Sequence, residues 1–478
     1  LTLVLLTSLV IRVFLWFAYQ PVSYSDTNSY HRTALAIQDG WKVDGTRTPG
    51  YPIFLLLFRP AADGWQQRAW LGQMALGVVT TGLMFALGWL TTGKSWAATF
   101  MGLAYTLNVQ QIFFECNLIT EALTTFLLSL TLVGVAVWLH RPQHRSLWLA
   151  CAIGLAAALT AIVRPLFIFL PLWSVLFVTL KVESQKSKVK GRFFDFRPFD
   201  ELRAGPFTFD LRPIIPMTLP ALFLLGGWVW FIHETYGNWS LTTMGGYHMI
   251  QHTGEYFEYV PDEYAALRDT YIRYRDAQIA AHGAPTNAIW QAIPEMTQAS
   301  GIGFYDLSDK LTEISLQLIR EHPDLFLKNA IEGWWMFWRA PVYWSAEALR
   351  WPGLAAPLRG LILVERVILF AANMAFIAFS LMMVVLWVKR RRSKVEGQEI
   401  LIWRHWTFDL RPSTFSVFLA SALWVCSIFQ TLLDHGDNPR FLVPLQMGVV
   451  LWLVMSMSKV ASCKLQVESQ RSKVANDL

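Results

Sequence analysis

Charge is the scarcest property of this 478-residue chain. Asp, Glu, Lys and Arg together make up 15% of it, against about 25% in ordinary soluble domains. That deficit excludes an intrinsically disordered protein and argues against a string of water-soluble domains. Cysteine is almost missing as well. Cys116, Cys151, Cys426 and Cys463 are scattered, mostly in apolar segments, with neither CxxC spacing nor a disulfide framework. Neither GxGxxG at a strand–helix turn nor GxSxG occurs, and we expect no Walker-type phosphate loop, so nucleotide-driven transport and serine-hydrolase chemistry are unsupported. HExxH is also lacking. His248 and His252 stand four residues apart without a third ligand, a poor basis for a metal site.

Apolar and aromatic residues are abundant: 54% of the chain is hydrophobic, with 23 Trp, 32 Phe and 14 Tyr, a load suited to membrane interfaces. Length alone suggests about three domains, but the hydropathy replaces them with one polytopic membrane body. Spans are expected at 1–19, 69–91, 95–113, 118–139, 146–163, 165–180, 214–233, 358–388, 414–432 and 441–457, about ten in all. Weaker apolar stretches lie at 51–58 and 324–346. The chain opens at Leu1 rather than Met, so we expect its native start to lie upstream, and the first apolar run to be a retained span rather than a signal peptide.

The net charge of +6 would suggest nucleic-acid binding in a soluble protein. Here the basic residues flank apolar spans, so we expect no nucleic acid and read them as topology signals. The runs at 140–145, 181–212, 389–404 and the C-terminal tail fall on one side, the cytoplasm by the positive-inside rule. The chain then divides into an N-terminal membrane half (1–233, with a first outer loop at 20–68 and a cytoplasmic insertion at 181–213), an outer helical or interfacial segment (234–357), and C-terminal spans (358–478, with an insertion at 389–413 and a basic tail). Within the outer segments, 24–39 is expected to be a short amphipathic helix capped by Ser25 or Asp26. A polar helix is expected over 262–281 and an interfacial one over 322–346. Val182–Val189 (VESQKSKV) returns as Val467–Val474 (VESQRSKV), and Thr208–Pro213 (TFDLRP) as Thr407–Pro412. The irregular period excludes a solenoid. We read these copies as insertions into tolerant loops.

Ionisable residues inside or at the edge of spans are costly and therefore informative. The topology brings Asp26, Arg47, Glu121, Arg164, Asp434, Asp437 and Arg440 to the outer side. That mixture suits an anionic ligand, since arginines hold phosphate and a carboxylate accepts a proton or binds a metal. Each has a plainer reading beside it. Asp26 caps a helix or acts in catalysis. Glu121 forms a structural ion pair with Arg164 or takes part in substrate binding. Arg440 anchors its span or contacts substrate. Arg12 is read as snorkelling to the interface.

Five segments occur in a familiar order: SDTNSYHRTALAIQDG with Asp26 and Tyr30, RTPGYPIFL with Arg47 and Tyr51, LITEALTTFLL with Glu121, ALTAIVRPLFIFLPL with Arg164, and DNPRFLVPLQMGVV with Asp437 and Arg440. Together they resemble the polytopic GT-C glycosyltransferases of the protein-mannosyltransferase and aminoarabinose-transferase type. The likeness covers about 1–180 well, the last spans moderately, and 234–357 only in kind. It implies an all-α GT-C-type bundle in the plasma (inner) membrane, with its active site facing outward. It implies transfer of a hexose or pentose from a polyprenyl-phosphate donor to a lipid, glycan or protein acceptor, with inversion and with Asp26 as base. Tyr30, Arg47, Tyr51, Glu121, Arg164, Asp437 and Arg440 would bind the substrate and its phosphate. Some relatives use a divalent metal, for which no ligand set is apparent here. Protein mannosyltransferases carry an Asp-Glu pair where this chain has Asp26-Thr27, which weakens a protein acceptor. The alternatives are a lipid-linked sugar flippase or transporter, a lipid-linked glycan polymerase or ligase, and a non-catalytic scaffold.

Overall fold

A computed structural model describes residues 1–181, 208–395, 413–433, 435 and 438–460. Its α-helices, in chain order, are α1 (Thr2–Ala18), α2 (Ser25–Gln38), α3 (Gly50–Leu56), α4 (Trp65–Thr92), α5 (Ser95–Thr106), α6 (Val109–Cys116), α7 (Glu121–His140), α8 (Leu147–Val163), α9 (Leu170–Thr179), α10 (Ile214–Ala221), α11 (Gly227–Tyr236), α12 (Gly245–Thr253), α13 (Ala265–His282), α14 (Ala288–Ser300), α15 (Phe304–Glu321), α16 (Pro323–Phe337), α17 (Ala355–Val395), α18 (Thr414–Leu433), α19 (Asn438–Phe441) and α20 (446–460). A two-residue antiparallel ladder pairs Leu180–Lys181 with Thr208–Phe209.

The chain is an all-α membrane protein. Among the described residues, six helices are long and apolar enough to cross a bilayer: Trp65–Thr92, Glu121–His140, Ile214–Tyr236, Pro352–Leu386, Thr414–Leu433 and Pro439–Val460. The 20 residues of α7 span about 30 Å at 1.5 Å per residue, the thickness of a hydrocarbon core. Three shorter apolar helices accompany them, at Thr2–Ala18, Leu147–Val163 and Pro165–Thr179. The expected span over 95–113 is divided. Asn108 ends α5 and caps α6 by accepting the Gln111 N–H at 2.9 Å, and Glu365 of α17 accepts the next two free donors, from Val109 and Gln110, at 2.7 and 2.9 Å. Side-chain partners for the orphan amides of a helix start make such a break stable inside a bundle.

The lipid-facing character is plainest on α1. Leu3, Leu6, Val10, Val13 and Phe17 form an exposed apolar stripe at helical spacing, while Ser8 and Arg12 are buried. Polar residues inside and apolar residues outside is the arrangement that a bilayer selects. A second unit of α12 to α15 has its own core, in which Tyr247, Phe257, Leu267, Met296, Leu307 and Leu311 are buried together. The expected helices over 24–39 and 262–281 are present as α2 and α13.

The octet Gly88–Ser95 (GWLTTGKS) fits the P-loop spacing GxxxxGK[ST], contrary to the expectation that no such motif is present. The fold disqualifies it as a phosphate cradle. Gly88 to Thr92 are the end of α4 rather than a loop after a strand, Gly93 is a left-handed C-cap, and Lys94 Nζ donates to the Ser458 carbonyl at 3.0 Å. Gly88 is there for close packing, since a Cβ on it would lie 2.7 Å from the Ala97 carbonyl oxygen. Most copies of the repeated segments, and Asp434 and Asp437, lie outside the described residues.

Candidate active site

Two helix ends and two loops are fastened together before any charge is placed. Val22 forms a parallel bridge with Asn117: the Val22 N–H donates to Cys116 O, and the Leu118 N–H to Val22 O, both at 3.0 Å. Thr27 Oγ1 donates to Leu118 O at 2.9 Å and also accepts the Tyr24 N–H. The start of α2 is therefore capped by Thr27 folding back on Tyr24, not by Ser25 or Asp26 as the sequence suggested. This leaves the Asp26 side chain to point elsewhere. The following loop is pinned where the carbonyl of Gly45, a residue in the left-handed region at φ +69°, accepts the Thr243 N–H at 3.0 Å and the Tyr236 hydroxyl donates to Val43 O. At Gly50 an added Cβ would lie 2.7 Å from Ile162 O and Val163 N. The RTPGYP segment can thus rest directly on the end of α8. There α8 stops at Val163 because Pro165 drives Arg164 into an extended conformation (φ −141°, ψ 109°), which turns the Arg164 side chain toward the same place.

The consequence is one continuous charge cluster. Arg47 donates to Asp26 Oδ1 at 2.6 Å, and Arg440 donates to Asp26 Oδ2 at 2.7 Å. Arg440 also donates through Nε to Glu121, whose Oε1 accepts from Arg164 at 2.9 Å. Glu121 is wholly buried and Arg164 nearly so, whereas Asp26 and Arg47 each keep about a quarter of their side chains exposed (24% and 23%). Glu121 also opens α7, where the helix dipole favours an anion. The two readings of Glu121 meet here, because it pairs with Arg164 and at the same time holds Arg440. Residues from five separate stretches of chain, up to 414 positions apart, thereby share one ion network.

Tyr30 and Tyr51 form the wall behind it. Their rings meet edge to face at 5.1 Å, and the Arg47 guanidinium lies 5.2 Å from the centre of the Tyr30 ring. Burial raises the Tyr30 hydroxyl well clear of neutral pH, so it stays a donor. The Tyr51 hydroxyl donates to Gln73 Oε1 at 2.7 Å, and Gln73 Nε2 donates to the carbonyls of Glu115 and Asn117, each at 2.8 Å. Arg164 stacks over Phe441 at 4.2 Å. Burial by itself would raise the Asp26 carboxyl, but the facing Arg47 and Arg440 outweigh it and hold it at about 2. Asp26 is a carboxylate throughout the physiological range. Arg47 Nε is a buried donor without a partner among the described residues.

Of the residues singled out from sequence, Asp26, Tyr30, Arg47, Tyr51, Glu121, Arg164 and Arg440 are brought together, and Asp437 lies outside the described residues. Arg12 does not snorkel. It is 3% exposed and forms a bidentate pair with Glu115, at 2.8 and 2.6 Å. Sequence reasoning passed over Glu115 and Gln73, although a glutamate in the apolar run IFFEC was signal enough. A divalent cation does not suit this donor set. Both carboxylates are already engaged by arginines, and no group of three His, Cys, Asp or Glu is placed to hold a metal among the described residues. Comparison with protein-family models, with curated proteins and with solved structures gave no match for this chain.

Proposed function

We propose that the protein is an inverting membrane glycosyltransferase of the GT-C type. It would move a sugar from a polyprenyl-phosphate donor to a lipid, glycan or protein acceptor at the outer face of the plasma (inner) membrane. The supporting observation is the convergence of Asp26, Arg47, Glu121, Arg164 and Arg440, in which three guanidinium groups face two carboxylates and the Asp26–Arg47 end is only partly buried. In this reading the six long spans, the three short apolar helices and the divided α5–α6 pair make up the ten-span bundle.

The chemistry asks little of the protein. The acceptor oxygen forms a bond to the anomeric carbon as Asp26 takes its proton. The bond from that carbon to the phosphate oxygen breaks, and its electron pair leaves on the phosphate. Arg47 and Arg440 stabilise the growing charge of the leaving phosphate. Glu121 and Arg164, deeper and fully enclosed, position Arg440. Tyr30 and Tyr51 form the wall along which Arg47 is held.

Donor turnover tests this reading. The protein in nanodiscs is given a panel of polyprenyl-phosphate sugars with a lipid and glycan acceptor mixture, and release of free polyprenyl phosphate is followed. We expect acceptor-dependent release that disappears in Asp26→Asn. Equal release by wild type and Asp26→Asn would remove Asp26 from the chemistry.

A further inference from the structure

Asp26 stands at odds with the work assigned to it. A general base should be near neutral in basicity, yet Asp26 is clamped on both oxygens, by Arg47 at 2.6 Å and by Arg440 at 2.7 Å. Those same arginines are the groups that would receive the donor phosphate. One carboxylate and one phosphate therefore compete for the same guanidinium faces. Arg47 lies at the exposed edge of the network and spends only Nη2 on Asp26, so it can turn to a second anion without leaving the Tyr30 ring. Glu121 is the fixed counterpart, since it is fully enclosed and keeps Arg164 and Arg440 in place whatever happens at Asp26.

We propose that Asp26 is the site's internal stand-in for the phosphate: it occupies the phosphate-binding arginines at rest, and the lipid phosphate displaces it, so that the base is released only when the donor is bound. This rests on the reading of the site as one for a polyprenyl phosphate. Its benefit is chemical. A carboxylate freed from two guanidinium groups becomes a stronger base, and it is freed only when a leaving group is present. The exchange also makes a prediction opposite to that for an ordinary substrate-contacting residue. Removing the charge of Asp26 should strengthen binding of the lipid phosphate, because the competitor is gone.

The probe is polyprenyl phosphate without a sugar, titrated into the full-length protein in nanodiscs, with Kd read for wild type, Asp26→Asn, Arg47→Gln and Asp309→Asn. Asp309, hydrogen-bonded to Asn238, serves as a remote carboxylate control. Loss of one unit charge a few ångströms from the phosphate should tighten binding at least about tenfold in Asp26→Asn. Arg47→Gln should weaken it about tenfold, and Asp309→Asn should leave it alone. Inorganic phosphate forms a second arm, and its tightening by Asp26→Asn would support the exchange as a property of the phosphate group. A phosphate effect without a lipid effect would overturn it. So would unchanged or weaker lipid binding in Asp26→Asn, or equal tightening in Asp309→Asn. If wild type and every variant fail to bind polyprenyl phosphate, the donor reading itself falls and takes the exchange with it. If the lipid binds but Asp26→Asn does not tighten it, the exchange alone falls.

Discussion

Arg12 and Glu115 meet inside the bundle, and every nitrogen of the arginine is used. Nε and Nη2 reach the two carboxylate oxygens, while Nη1 donates to Ser8 and to Thr106, and Tyr105 donates to the same glutamate. The glutamate also fits against Gly77, where a Cβ would lie 2.3 Å from its carboxylate. Asp26 and Arg47 meet at the edge of the bundle, partly exposed, with only Nη2 of the arginine spent on the pair. Both are ion pairs in an apolar protein, but only the second has an opening and unspent hydrogen-bonding capacity. Burial of charge is thus a poor sign of function by itself. Incomplete satisfaction at an accessible edge is the better one.

The largest expected effect separates the two clusters by activity. Asp26→Asn should lower sugar transfer by about a hundred- to ten-thousand-fold, the contribution of a positioned base, while the protein stays folded and monodisperse with a stability loss of only about 2 kcal/mol. Glu115→Leu should do the reverse in kind. It leaves Arg12 as an uncompensated buried charge and should cost about 3–5 kcal/mol of stability, read as loss of monodisperse protein and a lower unfolding midpoint. The double replacement Arg12→Met with Glu115→Leu should recover much of that loss. If Glu115→Leu folds normally but loses turnover selectively, the division into structural and functional clusters is wrong.

Much of this was legible in the sequence, and the reason is physical. A charged residue inside an apolar run is so costly that its presence marks a partner, and in this way Glu121, Arg164 and Arg440 stand out from the sequence alone. The short helix α2 was legible from its periodicity. What could not be read was the direction of side chains. Arg12 lies in an apolar helix with a free-looking path to the interface, and only the break at Asn108, which brings Glu115 back beside it, turns it inward. That break was missed because residues 95–113 are apolar enough on average for a span despite Asn108, Gln110 and Gln111. Its causes, the cap of Asn108 and the carboxylate of Glu365, come from positions more than 250 residues apart. The capping of α2 was misassigned for a similar reason. Ser25 and Asp26 are good caps locally, but Thr27 is fixed by Leu118, a contact invisible in the chain.

A smaller effect tests how the edge cluster is held. Gly50→Ala places a methyl group against the backbone of Ile162 and Val163, neither of which can yield without moving Arg164. Overpacking of this kind costs about 1–3 kcal/mol, and the shift should be felt in activity more than in the bulk fold. We expect a clear fall in turnover with only a modest fall in unfolding midpoint. Gly93→Ala, at a C-cap with open space around it but a positive φ, should cost about 1 kcal/mol and leave turnover unchanged. Equal turnover losses in the two variants would mean that the close approach at Gly50 does not set the site.

The smallest effect concerns pH and again divides the clusters. The Asp26 carboxyl is held at about 2 in the folded protein, below its ordinary value of 3.8. A group whose folded value is depressed stabilises the fold above its unfolded value, and that contribution is lost as pH falls through the folded one. The ion pairs of Asp26 should therefore contribute fully above about pH 4 and fade toward about pH 2, by about 2 kcal/mol in total. The measurement is the unfolding free energy of wild type and Asp26→Asn in mixed micelles at pH 7 and pH 2.5. The gap between them should narrow at the lower pH, and should narrow at pH 7 as well when polyprenyl phosphate saturates both proteins, because the variant binds the lipid more tightly and is stabilised by it the more. A gap indifferent to the lipid would mean that Asp26 keeps its partners when the phosphate arrives, and the edge cluster would then be as closed as the one around Arg12.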